Sequence, residues 1–155
     1  MDRARVSGNR PAIVLVRPLI PGNTGTIART CAALEIDLCL VGPLGFEITD
    51  RAVRRAGLDY WPHVPLHRYD TWADFAARRP GPRFAFEEWG ETSAYDVAWP
   101  GDAQLLFGSE TVGLPPEALE GARAVRLPMR SPHVRSLNLA NAATAAAYIA
   151  FRGLL

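Results

Sequence analysis

Three short segments of this sequence gather residue types that bind and orient a polar ligand. They are "PGNTGTIAR" (21–29), "FGSETVGLP" (107–115) and "RSLNLAN" (135–141). The first two alternate glycine with amide, hydroxyl and carboxylate groups. The third sets Ser136, Asn138 and Asn141 among leucines, at the mouth of an alanine-rich apolar run. Asn23, Glu110, Ser136 and Asn138 offer hydrogen bonds, while Arg29 offers a guanidinium that can clamp phosphate or stabilise a developing oxyanion. Small polar residues of this kind are also ordinary helix N-caps, so capping stands beside ligand binding for Asn23 and Asn138.

Several familiar chemistries are excluded. "PGNTGT" lacks the G-K-[ST] ending of a P-loop, and the chain contains no lysine to reach a phosphate. "VGPLGF" is not the G-x-G-x-x-G turn of a dinucleotide site, and Pro43 interrupts it. No G-x-S-x-G elbow is present, which removes most hydrolase readings. His63 and His67 are four residues apart, but Pro62 and Pro65 argue against a helix that would show both on one face, so no metal is expected. Cys31 and Cys39, the only two cysteines, sit among apolar neighbours and read as small buried hydrophobes rather than a disulfide.

The elements that must hold these segments follow from apolar patterning. "AIVLV" (12–16) is a continuous apolar strand, buried on both faces. Beyond the break at Pro21 and Gly22, Asn23 offers an N-cap, and Ile27, Cys31 and Leu34 recur at helical spacing. "DLCLVG" is a second strand. "TDRAVRRAG" predicts a helix capped by Thr49 or Asp50 and stopped by Gly57. "TWADFAARR" predicts a short helix closed by Pro80 and Gly81. "RFAF", "AQLLFG" and "AVRLPM" are three more strands, "LPPEALEGA" is a helix with proline in its first turn, and a last helix begins near Asn138.

Strands alternating with helices imply an α/β fold, a mostly parallel sheet covered by helices on both faces. One domain over residues 1–155 is expected, with residues 1–11 a short flexible N-terminal tail. No run reaches the ~18 apolar residues of a membrane span, and no signal-type region precedes the first strand, so no membrane and a cytoplasmic location are expected. In such a sheet the ligand crevice lies outside the carboxyl ends of the strands, where all three polar segments can meet. The net charge is only +1, but residues 1–83 hold 12 Arg against 8 Asp/Glu, whereas residues 84–155 hold 5 against 8. Genomic bias accounts for an all-arginine basic set; phosphate contact is the alternative. Arg51, Arg54 and Arg55 would share one helical face.

In this order and spacing the segments resemble the SPOUT superfamily, and within it the SpoU-type RNA ribose 2'-O-methyltransferases. The similarity runs from about residue 13 to 153. The first motif, N-x-x-x-x-x-R, spans Asn23 to Arg29; "FGSETVGLP" is the second; "LPM" with "RSLNLANA" is the third. "RRAGLDYW" (54–61) is similar to a segment typical of the small members that act on the tRNA wobble nucleotide (cytidine/uridine).

The resemblance implies a C-terminal trefoil knot, S-adenosyl-L-methionine bound in the knot loops without a metal, tRNA as substrate and a homodimer as working form. It casts Arg29 as the residue that meets substrate phosphate and serves as general base, with Asn23, Glu110, Ser136 and Asn138 completing a catalytic group. Phe86, Gly108, Gly113, Leu127 and Ser136 match cofactor-contacting positions. Arg29, together with Arg51, Arg54 and Arg55, is the candidate RNA contact. An arginine pKa of about 12.5–13.8 makes neutral guanidine scarce, which favours the phosphate role over the base role. Glu87, Glu88 and Trp89 depart from the small polar residues and lysine usual after the third strand in that subgroup. Methylation of another tRNA position or of ribosomal RNA, and a catalytically silent RNA-binding module of the same fold, stand as alternatives.

Overall fold

The structure is a computed structural model that describes residues 9–49, 51–56 and 60–155. Asp50 and Gly57, the expected cap candidate and stop of the second helix, lie outside the described residues, as does the tail up to residue 8. Residues 9–11 are tied to the body. Asn9 Nδ2 donates to the Pro80 carbonyl at 2.9 Å, Arg10 Nε lies 3.4 Å from Asp37, and Pro11 is buried.

Seven strands, all parallel, form one sheet. They are β1 (Ala12–Val16), β2 (Asp37–Val41), β3 (Leu66–Tyr69), β4 (Arg83–Phe86), β5 (Thr92–Ser93), β6 (Gln104–Phe107) and β7 (Arg123–Arg126), in the order β3-β2-β1-β6-β4-β7-β5. Apolar patterning pointed to five of them. β3 and β5 escape it because they are the two edges of the sheet. β3, "LHRY", pairs on one side only and exposes its middle, and β5 has two residues.

The helices are α1 (Pro21–Leu34), α2 (Arg51–Ala56), α3 (Trp72–Arg78), α4 (Pro116–Leu119) and α5 (Leu139–Ala150). Strand alternation sends Ile13, Leu15, Leu38, Leu40, Leu105 and Phe107 to one face, where they meet Ile27 and Cys31 of α1 and the alanines of α5. Val14, Val16, Cys39, Val41 and Leu106 go to the other, against Trp72 and Phe75 of α3 and Ala118 of α4. The expected two-sided cover is thus present. Ala140, Ala143, Ala146, Ala147 and Ala150 are buried on α5, and their small side chains allow the helix to lie close to α1. Thr30 and Thr144 lock that contact with hydroxyls 2.8 Å apart.

At the amino end of the sheet, a buried polar knot ties β2 to the loop after α3. Arg79 Nη2 donates to Asp37 at 2.8 Å, with both side chains 4% exposed. Gln104 Nε2 donates to the Arg79 and Pro80 carbonyls at 3.2 Å, and Arg83 Nε donates to Gln104 at 3.1 Å. Burial pushes the Cys39 thiol up to about 12 and the Cys31 thiol upward as well, so both sulfurs stay protonated and inert.

Candidate active site

β1 is the point where the strand order reverses: β2 and β3 extend to one side, β6, β4, β7 and β5 to the other. Outside the carboxyl ends of these strands lies a cavity of about 380 Å³. It is walled by the loops after β1, β4, β6 and β7 and by the start of α5. This is the place chemistry favours for a ligand in a parallel sheet.

The first wall begins with an unusual helix start. Asn23 is not the N-cap of α1. The helix opens two residues earlier, with Pro21 at its first position and Ile20 as a cap lacking any side-chain acceptor. Proline suits that position because its missing N–H would have no partner there. The acceptor comes instead from far along the chain. Glu110 receives the Leu19 N–H at 2.9 Å and the Ile20 N–H at 3.0 Å, on the positive end of the helix. Asn23, released from capping, donates from Nδ2 to Glu110 at 3.1 Å.

The second wall is the β6 turn. Gly108 lies against the returning chain: a Cβ there would stand 2.0 Å from the Gly113 carbonyl carbon and 2.2 Å from the Leu114 nitrogen. Gly113 itself has a φ of +85°, a left-handed conformation that glycine adopts without strain. The "FGSETVGLP" spacing is therefore a folding requirement that brings backbone to the cavity edge beside the Glu110 side chain.

The third wall answers the capping question raised by "RSLNLAN". Asn138 is the N-cap of α5, its Oδ1 accepting from Ala140 N at 2.9 Å and Asn141 N at 3.3 Å. Its Nδ2 meanwhile donates to Asn23 Oδ1 at 3.4 Å. One side chain thus both caps and joins the site. Ser136 and Leu137 line the cavity just ahead of it.

Phe86, Gly108, Gly113, Leu127, Ser136, Asn23, Glu110 and Asn138 all line this one cavity. Phe86 stacks on Phe107 with ring centroids 5.0 Å apart, so its ring also serves the core. Arg29 does not join them. It lies six residues beyond Asn23, which turns it about 120° around the helix. Its exposed guanidinium lies 4.6 Å over the Tyr60 ring and donates to the Tyr60 hydroxyl at 3.1 Å. Asn23 and Glu110 bind each other and the start of α1. Arg51, Arg54 and Arg55 are exposed on α2, which packs on α1, and Arg54 lies 5.6 Å over Trp61. The four arginines thus belong to two neighbouring elements, α1 and α2.

Glu87 and Glu88, whose acidic charge the sequence sets beside the expected cofactor or RNA approach, both line the cavity. Their position directly after a strand, like that of Ser109 and Glu110, was the available signal. Glu87 is half-buried and accepts from Leu114 N at 3.4 Å. Burial raises its carboxyl pKa above the ordinary range, the Leu114 N–H lowers it, and the charge of Glu88 raises it further. His63 and His67 stand on separate elements. Among the described residues no cluster of His, Cys, Asp or Glu is fit to hold a metal, and no helix is long and apolar enough to cross a membrane.

A doubly covered parallel sheet whose strand-end loops enclose one amide- and carboxylate-lined cavity defines an α/β protein with a candidate ligand cavity at its topological switch point. The chain belongs to the SpoU rRNA Methylase family, whose pattern matches residues 10–148. It is 44% identical over 146 residues to the tRNA (cytidine(34)-2'-O)-methyltransferase of Burkholderia cenocepacia (strain HI2424), covering 90% of this chain and 93% of that protein. A solved chain described under "Structural insights into the 2-OH methylation of C/U34 on tRNA" is 46% identical, with a TM-score of 0.88 and coverage of 94% and 97%. The AdoMet-bound rRNA methyltransferase from Sinorhizobium meliloti is 28% identical with a TM-score of 0.86; the likeness covers 98% of this chain and 59% of that one.

Proposed function

We propose that this protein is an S-adenosyl-L-methionine-dependent tRNA methyltransferase that acts on the ribose 2'-hydroxyl of the wobble nucleotide, cytidine or uridine, in the cytoplasm. The observation that carries the reading is the convergence of Asn23, Glu110, Ser136 and Asn138, from three remote segments, on one cavity. The near-full-length likeness to proteins named for that reaction supports the substrate.

The cavity suits the methyl donor. Phe86, Leu127, Leu139 and Ala142 offer apolar surface for an adenosyl group, the Gly108 and Gly113 turn offers main chain, and no lining side chain is cationic to oppose a sulfonium. When bound, the donor supplies an already activated methyl group. The protein's task is then alignment and proton removal. Asn138 and Asn23, held in series against Glu110, present amide groups of fixed orientation to the reacting sugar. Ser136 lies beside them as a further hydrogen-bonding group.

Arg29 acts in this reading as a phosphate clamp for the RNA, with Arg51, Arg54 and Arg55 extending the basic surface. It lies outside its own chain's cavity, so the RNA must bridge the two places or a second copy must bring the cation closer. A homodimer fits the second route. Leu19, Ile20, Val134, Leu137 and Tyr148 are large apolar residues left exposed, and Leu19, Ile20 and Leu137 adjoin the cavity loops.

The test is transfer of labelled methyl groups from S-adenosylmethionine to unmodified tRNA, followed by mapping of the modified ribose. Label at the 2'-oxygen of the wobble nucleotide is the expected result; label at another position would reassign the substrate. Cofactor binding without transfer to any RNA would reject the enzyme reading in favour of a silent binding module.

A further inference from the structure

We propose that Glu87 makes the cavity prefer the positively charged methyl donor over its neutral thioether product. The inference rests on the methyl-transfer reading and extends it to a residue with no role there. Donor and product differ by one methyl group and one unit of charge. A cavity shaped for the larger molecule also admits the smaller, so shape alone retains the product after each turnover. Charge separates the two.

The geometry points to one carboxylate. The cavity lining contains three acidic side chains, Glu87, Glu88 and Glu110, and no Arg, Lys or His. Glu110 is committed to the start of α1 and to Asn23 through three donors. Glu88 is exposed to solvent, which screens its charge. Glu87 is half-buried, folded inward against the β6 turn. Its oxygens lie 3.9 and 4.0 Å from where a Cβ on Gly113 would stand, and Oε2 accepts the Leu114 N–H. Held there, it faces the same space as the Gly108 and Gly113 backbone.

A partly desolvated anion acts on a nearby cation through an effective dielectric well below that of water. The sulfonium donor gains that attraction; the thioether does not. The charge on Glu87 is also one that folding alone disfavours, since burial raises its carboxyl pKa. A cation arriving in the cavity offsets that penalty.

Calorimetry on the full chain tests this with two probes, S-adenosylmethionine and S-adenosylhomocysteine. Wild type is expected to favour the sulfonium. Glu87→Gln should weaken S-adenosylmethionine binding on the order of tenfold while leaving S-adenosylhomocysteine unchanged, so the preference collapses. Glu87→Asp, which keeps the charge, should retain part of it, and Glu88→Gln should change the ratio less. A Glu87→Gln protein that loses affinity for both probes equally, or keeps the wild-type ratio, overturns the proposal. Wild type that binds neither probe defeats the methyl-transfer reading itself, and the assignment of Glu87 falls with it. Thermal melting of each variant shows that lost binding is not lost folding.

Discussion

Asn23 and Glu110 are joined by a 3.1 Å hydrogen bond across 87 positions of chain, and the same carboxylate holds the Leu19 and Ile20 amides at the start of α1. The β6 loop and the first helix are thereby fixed to each other at the cavity wall. One residue serves helix stability and site geometry together. Glu110→Ala leaves those amides without their acceptor and frees the Asn23 side chain. Loss of an N-terminal cap of this kind costs about 1–2 kcal/mol, to be read from urea denaturation midpoints. Methyl transfer should fall further than that destabilisation explains, under conditions where the variant is fully folded.

Asn138 allows its two duties to be separated. Its Oδ1 caps α5, while its Nδ2 reaches Asn23. Asn138→Asp keeps the acceptor and removes the donor, so stability should stay within about 0.5 kcal/mol of wild type while methyl transfer declines. Asn138→Ala removes both and should cost about 1 kcal/mol in addition. Equal activity in Asn138→Asp and wild type would leave Asn138 with capping alone.

Glu87 gives a pH signature in the absence of ligand. Its pKa is raised in the folded chain, so the folded state holds that proton more tightly than the unfolded state does. The resulting contribution favours folding below the ordinary glutamate value of about 4.3 and is lost as pH rises through the raised value. Glu87→Gln stays neutral throughout. Its melting temperature, compared with wild type, should therefore improve as pH rises from the acid range to neutrality. A difference independent of pH would contradict the buried-charge account.

The amino end of the sheet should respond differently from the carboxyl end. Asp37→Asn leaves the Arg79 guanidinium, 4% exposed, without its anionic partner. Breaking a buried pair on one side costs about 3–5 kcal/mol. The protein that remains folded should bind S-adenosylmethionine as wild type does, because Asp37 stands at the first register position of β2, at the opposite end of the strands from the cavity. Calorimetry at a temperature where both proteins are native checks this.

How much of this was legible in the residues differs from element to element. Buried strands such as "AIVLV" declare themselves because both faces are apolar, and Asn138 could be read as a cap because the helix pattern starts directly after it. The start of α1 could not. Pro21 and Gly22 look like breakers, and the acceptor that permits a helix there is Glu110, which no local rule can supply. The edge strands β3 and β5 carry too few buried positions to show a pattern. Motif order grouped Asn23, Glu110, Ser136 and Asn138 with Arg29; the first four share one cavity, while helical rotation turns Arg29 toward Tyr60. Glu87 was visible as acidic charge beside the expected cofactor approach; its burial against the Gly113 turn is a tertiary fact.

The most direct test of the central claim is a crystal structure of the protein soaked or grown with S-adenosylmethionine. The expected result is the adenosyl group lying among Phe86, Gly108, Gly113 and Leu127, with the methyl carbon directed toward the Asn23, Glu110 and Asn138 cluster. A cofactor seated elsewhere on the molecule, or one with its methyl turned away from those three residues, would contradict it.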